Sequence, residues 1–326
     1  MPDKPRCIYT SPGGLACHEH DMGSGYCFWH DNKFDKSGLE LTHKLERYAK
    51  KGGLLHGLQL QRANLTGLNL IKHDDEQGYD LSYCDFYRAN LSDAHLFNNK
   101  IANASLMKAN LHNASLHYCD LKNTNLLGIK LDHTRIDNID LGKQLLQESL
   151  AKHALNNKDP RRANDLFEQS EEIYRNLRKA SEQQGLFELV GRFTYKELKM
   201  RHAQYPKGSL KRFTSGCIDL LCGYGEKPEH VIRFSLSLII CCAIGYFLFG
   251  VSYNDTLLQL DLDATFTDNL SAFLNSFYFS VVTFTTLGYG DITPVGISRL
   301  IAAIEAFCGS FSLALFVVVF VKRMTR

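Results

Sequence analysis

The sequence has little net charge, because 37 Lys and Arg residues against 35 Asp and Glu residues leave a formal charge of only +2. Charge alone therefore points neither to nucleic acid nor to a strongly acidic partner, and we expect no nucleic-acid binding. The first residues lack the apolar core of a signal peptide, and the ten cysteines do not form a secreted disulfide framework. We therefore expect a reducing, cytoplasmic setting for the first two-thirds of the chain.

Several functional modules are also missing from the sequence. No series of arginines at every third position forms a voltage sensor, and no Gly-x-Gly-x-x-Gly motif indicates a nucleotide-binding domain. We also find no nucleophile–base pair and no catalytic metal geometry. The protein is therefore predicted not to be an enzyme.

A mean hydropathy of −0.21 hides two long apolar runs near the C-terminus. Residues 234–251 form an uncharged run of 18 residues, and residues 300–321 form a run of 22 residues in which Glu305 is the one charge. At about 1.5 Å per residue, each run can cross about 30 Å of hydrocarbon as a helix. We predict transmembrane helices at 231–251 and 299–321.

The charges that flank these runs predict their orientation. Basic residues precede the first run and follow the second, whereas the loop at 252–269 contains four Asp residues and no Lys or Arg. Positive charge favours the cytoplasmic side. Both termini are therefore predicted to be cytoplasmic, in a plasma (inner) membrane protein with two crossings.

Between the two crossings lies a shorter apolar segment, 270–285, whose length suits a re-entrant pore helix better than a third crossing. It leads into Thr283-Phe284-Thr285-Thr286-Leu287-Gly288-Tyr289-Gly290-Asp291. In this setting, residues 234–321 resemble the pore of the two-transmembrane potassium-channel family. A second Gly-Tyr-Gly, at 223–225, lacks the preceding apolar helix and the threonines, and we interpret it as a turn.

The resemblance implies a potassium-selective channel in which four identical chains assemble in the lipid bilayer. Backbone carbonyls would replace the water around the permeant K⁺, and glycines suit the backbone conformations that direct successive carbonyls inward. The resemblance implies that the selectivity filter consists of Thr286, Leu287, Gly288, Tyr289 and Gly290. It also implies that Thr285 and Asp291 support this filter.

Two residues of the second crossing each have two interpretations. Gly309 is either a gating hinge or a site of close helix packing. Glu305 either has a function behind the filter or snorkels toward the membrane interface.

Apolar residues recur at every fifth position from Leu55 to Leu141, with one shift of register between Ile71 and Asp80. A small side chain often precedes them by two positions, and residues two apart face the same way in an extended segment. This pattern resembles the pentapeptide-repeat family, which implies a right-handed quadrilateral β-helix. Less regular later coils are expected, because some positions depart from the small side chain: Asn99, Ile129 and Ile139.

The surface charge of the repeats limits their function. From Leu55 to Leu141 there are 10 acidic and 8 basic residues. A mimic of DNA needs a strongly acidic surface, because its attraction to a DNA-binding protein comes from phosphate-like charge. We therefore expect a rigid scaffold, or a docking surface for an unknown cytoplasmic ligand or protein partner.

The N-terminal segment contains ligand types that are found in closed zinc sites: Cys7, Cys17, Cys27 and His30. His18 and His20 are alternative nitrogen ligands. A segment of about 30 residues with so few large apolar side chains needs such a staple to fold. We predict a structural Zn²⁺ here, and the alternative is a flexible arm with free cysteines.

These features predict a multidomain protein with five parts. They are a zinc-binding module at 1–37, a helical connector at 38–54, the β-helix at 55–141, a helical linker with a membrane-proximal amphipathic segment at 142–226, and the pore domain at 227–326. The predicted function is passive K⁺ conduction, gated by the cytoplasmic part through an unknown stimulus. The alternative is a membrane-tethered adaptor or inhibitor whose pore-like module is non-conducting or non-selective.

Overall fold

The computed structural model describes residues 5–72, 77–254 and 256–324. The chain forms two compact units, Met1–Tyr205 and Pro206–Arg326. Each unit buries its own apolar side chains.

The first unit contains a coil built from the five-residue repeats. Parallel bridges pair residues 20 positions apart, from Asp80 with Lys100 to Asp120 with Asp140, so each coil takes four repeats. The apolar residue of each repeat lies inside the coil, where Leu81, Leu91 and Leu111 are fully buried. These bridges confirm the β-helix that the five-residue period predicted.

Each corner of the coil is turned by a residue with a left-handed backbone, two positions after the apolar residue. Asparagine tolerates this conformation better than most L-residues. It occupies five of the described corners, which are Asn98, Asn103, Asn113, Asn123 and Asn138. Lysine, arginine and tyrosine turn other corners, so the burial of the inner Leu residues must outweigh the local backbone strain of about 1–2 kcal/mol at each.

The shift of register marks an insertion at one corner of the coil. The bridges that join residues on either side of it span 26 residues instead of 20, as from Asn64 to Asn90, and the coils stack in the same way. Asn99 closes the gap, because its side chain accepts from the Tyr79 amide at 2.8 Å and donates to the Leu70 carbonyl at 3.0 Å. Residues 73–76 lie outside the described part of the chain.

The expectation of less regular later coils is wrong. The 20-residue bridges continue to Asp140, and Ile129 is buried at a position where small residues are preferred. Asn99 is fully buried there because its amide satisfies two backbone groups at once. The larger residues are therefore accommodated without a break in the ladder.

Helical segments cover both ends of the coil. Helix α1 (Thr42–Lys50) and the preceding residues cover the first coil, where the Gln59 amide donates to the Trp29 carbonyl at 2.8 Å. Helices α2 (Leu146–Asn156), α3 (Pro160–Gln183) and α4 (Phe187–Gln204) follow the last coil. There the Gln184 side chain bonds to the backbone of Thr134 and Ile136. These caps satisfy backbone groups that an open coil end would leave unpaired.

The predicted linker at 142–226 is divided between the two units. Helices α2 to α4 belong to the first unit, because Phe167, Ile173 and Leu177 are buried in the same core as the coil. Ion pairs join α3 to α4 through two buried carboxylates, Glu171 and Glu197, and their partners are Arg175, Arg178 and Arg201. Helix α5 (Leu210–Cys222) belongs to the second unit.

Three longer helices dominate the second unit: α6 (Pro228–Phe249), α7 (Phe266–Phe284) and α8 (Ser298–Met324). Among the described residues, α6 and α8 are long and apolar enough to cross a membrane. Three short strands, β1 (Val251–Tyr253), β2 (Thr256–Leu258) and β3 (Ile292–Pro294), form an antiparallel sheet in the order β2-β1-β3. The sheet ties the segment after α7 to the end of α6.

Local signals explain where these helices begin. Proline occupies the first turn of α6, where its missing amide hydrogen costs nothing. The Thr265 hydroxyl caps α7 by accepting from the Asp268 amide at 3.3 Å, so this helix starts four residues before the predicted position 270. Helix α8 extends past the predicted end at 321 to include Lys322 and Arg323, whose positive charges favour its last turn.

We expect the substitution Asn99→Ala to destabilise the coil, although it introduces the small residue that the repeat prefers. It leaves the Tyr79 amide and the Leu70 carbonyl without their partner, at a cost of about 1–3 kcal/mol. Trp29, the one tryptophan of the chain, is buried in the same core and reports urea unfolding by its fluorescence. The exposed change Lys130→Ala is the control, and an Asn99→Ala midpoint equal to that of the control would contradict this role.

Candidate functional site

Helix α7 ends in a Schellman motif just before the glycine motif, which we define as Thr286–Asp291. The Leu287 amide donates to the Val282 carbonyl, and the Thr286 amide donates to the Thr283 carbonyl, both at 3.0 Å. Thr286 takes the left-handed position with a φ of +57°. This motif satisfies carbonyls that the helix end leaves free and turns the chain sharply back.

Two glycines provide further left-handed positions in the glycine motif. Gly288 has a φ of +56° and Gly290 has a φ of +80°, conformations that glycine adopts without strain. The residues that precede these two glycines, Leu287 and Tyr289, are 60% and 69% exposed in the single chain. The backbone of the motif is therefore shaped by glycine, and its surface is open to other molecules.

The far end of the glycine motif is fixed to the helix that precedes it. Asp291 accepts a hydrogen bond from the Tyr278 hydroxyl of α7 at 3.0 Å. Strand β3 follows at once and pairs with β1. Tyr278 was not predicted to support the glycine motif. The only sign of this role in the sequence was its hydroxyl group within an apolar segment.

Helix α8 passes the end of α7 at Gly309. A Cβ atom at this position would lie 2.1 Å from the carbonyl oxygen of Phe284 and 2.9 Å from its carbonyl carbon. Glycine therefore permits close packing of α8 against the last residue of α7, which is the second of its two interpretations. The hinge interpretation stays a prediction.

Glu305 is fully buried among α6, α7 and α8. Its carboxylate accepts from the Tyr246 hydroxyl of α6 at 2.6 Å and from the Ser280 hydroxyl of α7. The interpretation that Glu305 snorkels to the interface is wrong, because these two partners hold its side chain among the three helices. Neither partner was predicted from the sequence, where they are isolated hydroxyl groups in apolar runs.

The second Gly-Tyr-Gly forms a turn of a different kind. Gly223 ends α5 with a φ of +53°, and residues 223–225 form a 3-10 turn in which Tyr224 has a φ of +57°. The Tyr224 hydroxyl lies 3.0 Å from that of Ser215 on α5. This segment connects α5 to α6 and lacks a preceding re-entrant helix.

The first unit holds a separate cluster in its N-terminal segment. The structure brings together one ligand atom each from Cys7, Cys17, Cys27 and His30, all within 4.8 Å of one another. The Cys17 and Cys27 sulfurs are 3.8 Å apart, and His30 Nδ1 lies 3.2 Å from the Cys27 sulfur and 3.8 Å from the Cys7 sulfur. All three thiols are free and buried. The alternative ligands His18 and His20 are exposed.

The surroundings of the cluster orient His30. Its Nε2 lies 2.9 Å from the His56 carbonyl, so this nitrogen carries the hydrogen and Nδ1 presents its lone pair to the thiols. The Tyr9 ring stacks on the imidazole at 4.1 Å between centroids. Burial lowers the pKa of His30, and burial raises the pKa of Cys27 to about 12. The imidazole is thus held in the neutral form that binds metals.

Two family models match the chain. The model described as "Ion channel" matches residues 235–326, and eight copies of "Pentapeptide repeats" match within residues 80–143. Protein LctB of Geobacillus stearothermophilus is 37% identical over 102 residues, which are 29% of this chain and 76% of that protein. The chain belongs to the two-transmembrane ion-channel family. In this channel protein, the ion-channel part is fused to pentapeptide repeats.

Other channel relatives are matched over shorter lengths. Protein LctB of Bacillus caldotenax is 39% identical over 70 residues, which are 19% of this chain and 52% of that protein. The inward rectifier potassium channel Kirbac3.1 of Paramagnetospirillum magnetotacticum is 38% identical over 56 residues, which are 17% of this chain and 19% of that protein. The chain thus spans about half of the first relative and about a fifth of the second.

Solved structures resemble the repeat region of this channel protein. The pentapeptide repeat protein Rfr23 of Cyanothece 51142 is 30% identical, with 28% of this chain and 61% of that chain covered and a TM-score of 0.20. The protein alr5209 of Nostoc PCC 7120 is 27% identical, with 30% and 74% covered and a TM-score of 0.20. The bridges of this chain, rather than these likenesses, define its coil.

We expect Gly309→Ala to destabilise the second unit by about 1–3 kcal/mol, because the added methyl group overpacks the contact with Phe284. Gly245→Ala on α6 is a matched control, since its Cβ would meet only the flexible tip of Ile301, at 3.2 Å. Both changes improve helix propensity by a similar amount. Thermal unfolding in detergent measures the difference, and equal melting temperatures for the two variants would contradict the close packing at Gly309.

Proposed function

We propose that this protein is a subunit of a potassium-selective channel, in which four copies surround one pore and conduct K⁺ passively without catalysing a reaction. The observation that carries the proposal is the backbone of the glycine motif. Left-handed positions at Thr286, which completes the Schellman motif, and at Gly288 and Gly290 lie between two helices that can cross a membrane. The relationship to Kirbac3.1, a potassium channel by name, supports the choice of ion.

Each part of the glycine motif has a role in this proposal. Carbonyls from Thr286 to Gly290 would replace the water around K⁺, and the Thr286 hydroxyl would add the innermost oxygens. The C-terminal end of α7 lies directly before the motif, and its partial negative charge of about half an electron favours a cation there. The exposed Leu287 and Tyr289 side chains would pack against the other copies and hold the pore diameter.

The remaining parts of the chain would control this pore. We place both termini and the β-helix, with a right-handed quadrilateral form, in the cytoplasm, because the loop between the crossings is acidic and the flanks are basic. A ligand or protein on the β-helix would open the pore by pulling on α6. Gly309 would then act as the hinge of α8.

We expect Gly288→Ala and Gly290→Ala to abolish selectivity for K⁺ over Na⁺ in liposomes that contain the purified protein. Each change places a methyl group at a left-handed position, and four copies would repeat it around one ring. The reversal potential under opposed K⁺ and Na⁺ gradients measures the effect.

Gly225→Ala is the matched control, because the same substitution is made at a left-handed glycine of the other Gly-Tyr-Gly, where φ is +78°. Selectivity of this variant should equal that of the wild type. If the wild type shows no K⁺ flux, or if the filter variants keep its selectivity, the potassium-channel proposal fails. A wild type without flux would favour the membrane-tethered adaptor.

We also propose that Cys7, Cys17, Cys27 and His30 hold a structural Zn²⁺. With Zn–S bonds of about 2.3 Å, two sulfurs on a tetrahedral zinc lie about 3.8 Å apart, which matches the spacing of Cys17 and Cys27. Burial raises the pKa of Cys17 and Cys27, and a bound cation would ionise these two thiols. Four protein ligands would fill a tetrahedral zinc site and leave no open position, so the role would be to fold the N-terminal segment onto the first coil.

We expect one zinc per chain in metal analysis of the purified full-length protein. Cys27→Ser and His30→Ala should each lose the metal, because either change removes one of four ligands. His18→Ala is the control, since His18 is an exposed histidine of the same segment. A folded wild type without zinc, or a loss of zinc in the His18 variant equal to that in the His30 variant, would contradict the proposed site.

A further inference from the structure

A buried carboxyl group joins the three long helices of the second unit. Glu305 on α8, Tyr246 on α6 and Ser280 on α7 are all fully buried. A carboxyl group in such surroundings is costly unless hydrogen bonds satisfy it. The ion pairs of this unit, within the described residues, involve Glu226 and Glu229 rather than Glu305. Its partners are instead the two hydroxyl groups, with the Cys242 thiol of α6 as a weaker third contact.

One of these partners lies in the last turn of α7. Ser280 precedes Phe284, the last residue of that helix, by four positions. Its hydroxyl reaches Glu305 and lies 2.9 Å from the Ile239 carbonyl of α6, so its single hydrogen can be donated to either acceptor. The last turn before the Schellman motif is thus held by polar contacts to both neighbouring helices.

The same face of α8 contacts α7 a second time, one turn further on. Residues four apart lie on one face of a helix, so Glu305 and Gly309 face α7 together. Glu305 reaches Ser280, and Gly309 packs against the Phe284 carbonyl. Helix α8 therefore contacts the last turn of α7 twice. A hydrogen bond holds the beginning of the turn, and a close backbone contact holds its end.

We propose that Glu305 is a positioning residue for the filter. Through Ser280 it fixes the rotation and height of the last turn of α7, and this turn places Thr286 at the start of the glycine motif. A displacement of α8 is consequently transmitted to the filter through the same two contacts. This inference rests on the proposed potassium-channel function, since K⁺ selectivity is its first readout.

Hydrogen bonding, rather than charge, is what this role needs. The amide of glutamine has the same shape as the carboxyl group, can accept from Tyr246 through its oxygen and can donate to Ser280 through its nitrogen. Alanine can do neither. Aspartate keeps the charge, but its side chain is too short to make both contacts. If the role needs charge, the Asp variant should resemble the wild type more closely than the Gln variant does. If the role needs the two contacts, the Gln variant should resemble the wild type more closely.

The test compares Glu305→Gln, Glu305→Asp, Glu305→Ala and Ser280→Ala in liposomes under opposed K⁺ and Na⁺ gradients. We expect the Gln variant to keep the wild-type permeability ratio of K⁺ to Na⁺, and the other three to lower it about tenfold, a factor that corresponds to about 1.4 kcal/mol. Ser276→Ala is the matched control, because this buried serine of α7 bonds within its own helix, to the Ala272 carbonyl at 2.9 Å. Its ratio should be unchanged.

A second readout separates this inference from the proposed function. Amide hydrogen exchange of the segment 280–291, in detergent, needs no ion flux. Faster exchange in Glu305→Ala and Ser280→Ala, but not in Glu305→Gln or Ser276→Ala, supports the positioning role even if the wild type conducts no K⁺. The inference is overturned if exchange and selectivity are the same in all variants, or if the Asp variant is normal where the Gln variant is not.

Discussion

A peptide chain that reverses direction inside an apolar environment must satisfy its own backbone hydrogen bonds, and the second unit is organised around this constraint. The reversal occurs at the end of α7, where the Leu287 and Thr286 amides return to carbonyls of the preceding turn. Helix α8 comes close enough to cover this end only because residue 309 has no side chain. The short sheet fixes the other side of the turn to the end of α6. The glycine motif is therefore a loop held at both ends, and a small set of contacts determines its position.

The parts of the fold that repeat, or that are simply apolar, were predictable from the sequence. The five-residue period of Leu55 to Leu141 predicted the β-helix, and two apolar runs predicted the long helices α6 and α8. Such patterns can be read from the sequence because buried positions are occupied by apolar residues at a regular spacing. The four ligands of the N-terminal cluster could also be named, because thiols and imidazoles have few other common uses in such a combination.

Pairwise contacts between distant residues were not predictable. Asn99 looked like an irregularity of the repeat, and it is the residue that closes the corner between Leu70 and Tyr79. Glu305 had two interpretations, and the choice depended on Tyr246, 59 positions away in the sequence. The division of the predicted linker followed from the apolar faces of α2 to α4, which pack on the last coil. In each case the outcome depends on a contact made by tertiary packing, and a local repeat in the sequence carries no information about such contacts.

The corner between Leu70 and Tyr79 has a consequence for how such a protein can change. The six added residues leave the stacking of the coils intact, because Asn99 bonds to the chain on both sides of them. Lengthening a loop whose ends are already fixed costs little, about 0.6 kcal/mol for each doubling of its length. This corner is thus a natural insertion point, where evolution or an engineer can add a peptide, a tag or a small binding domain to the channel without rebuilding its scaffold.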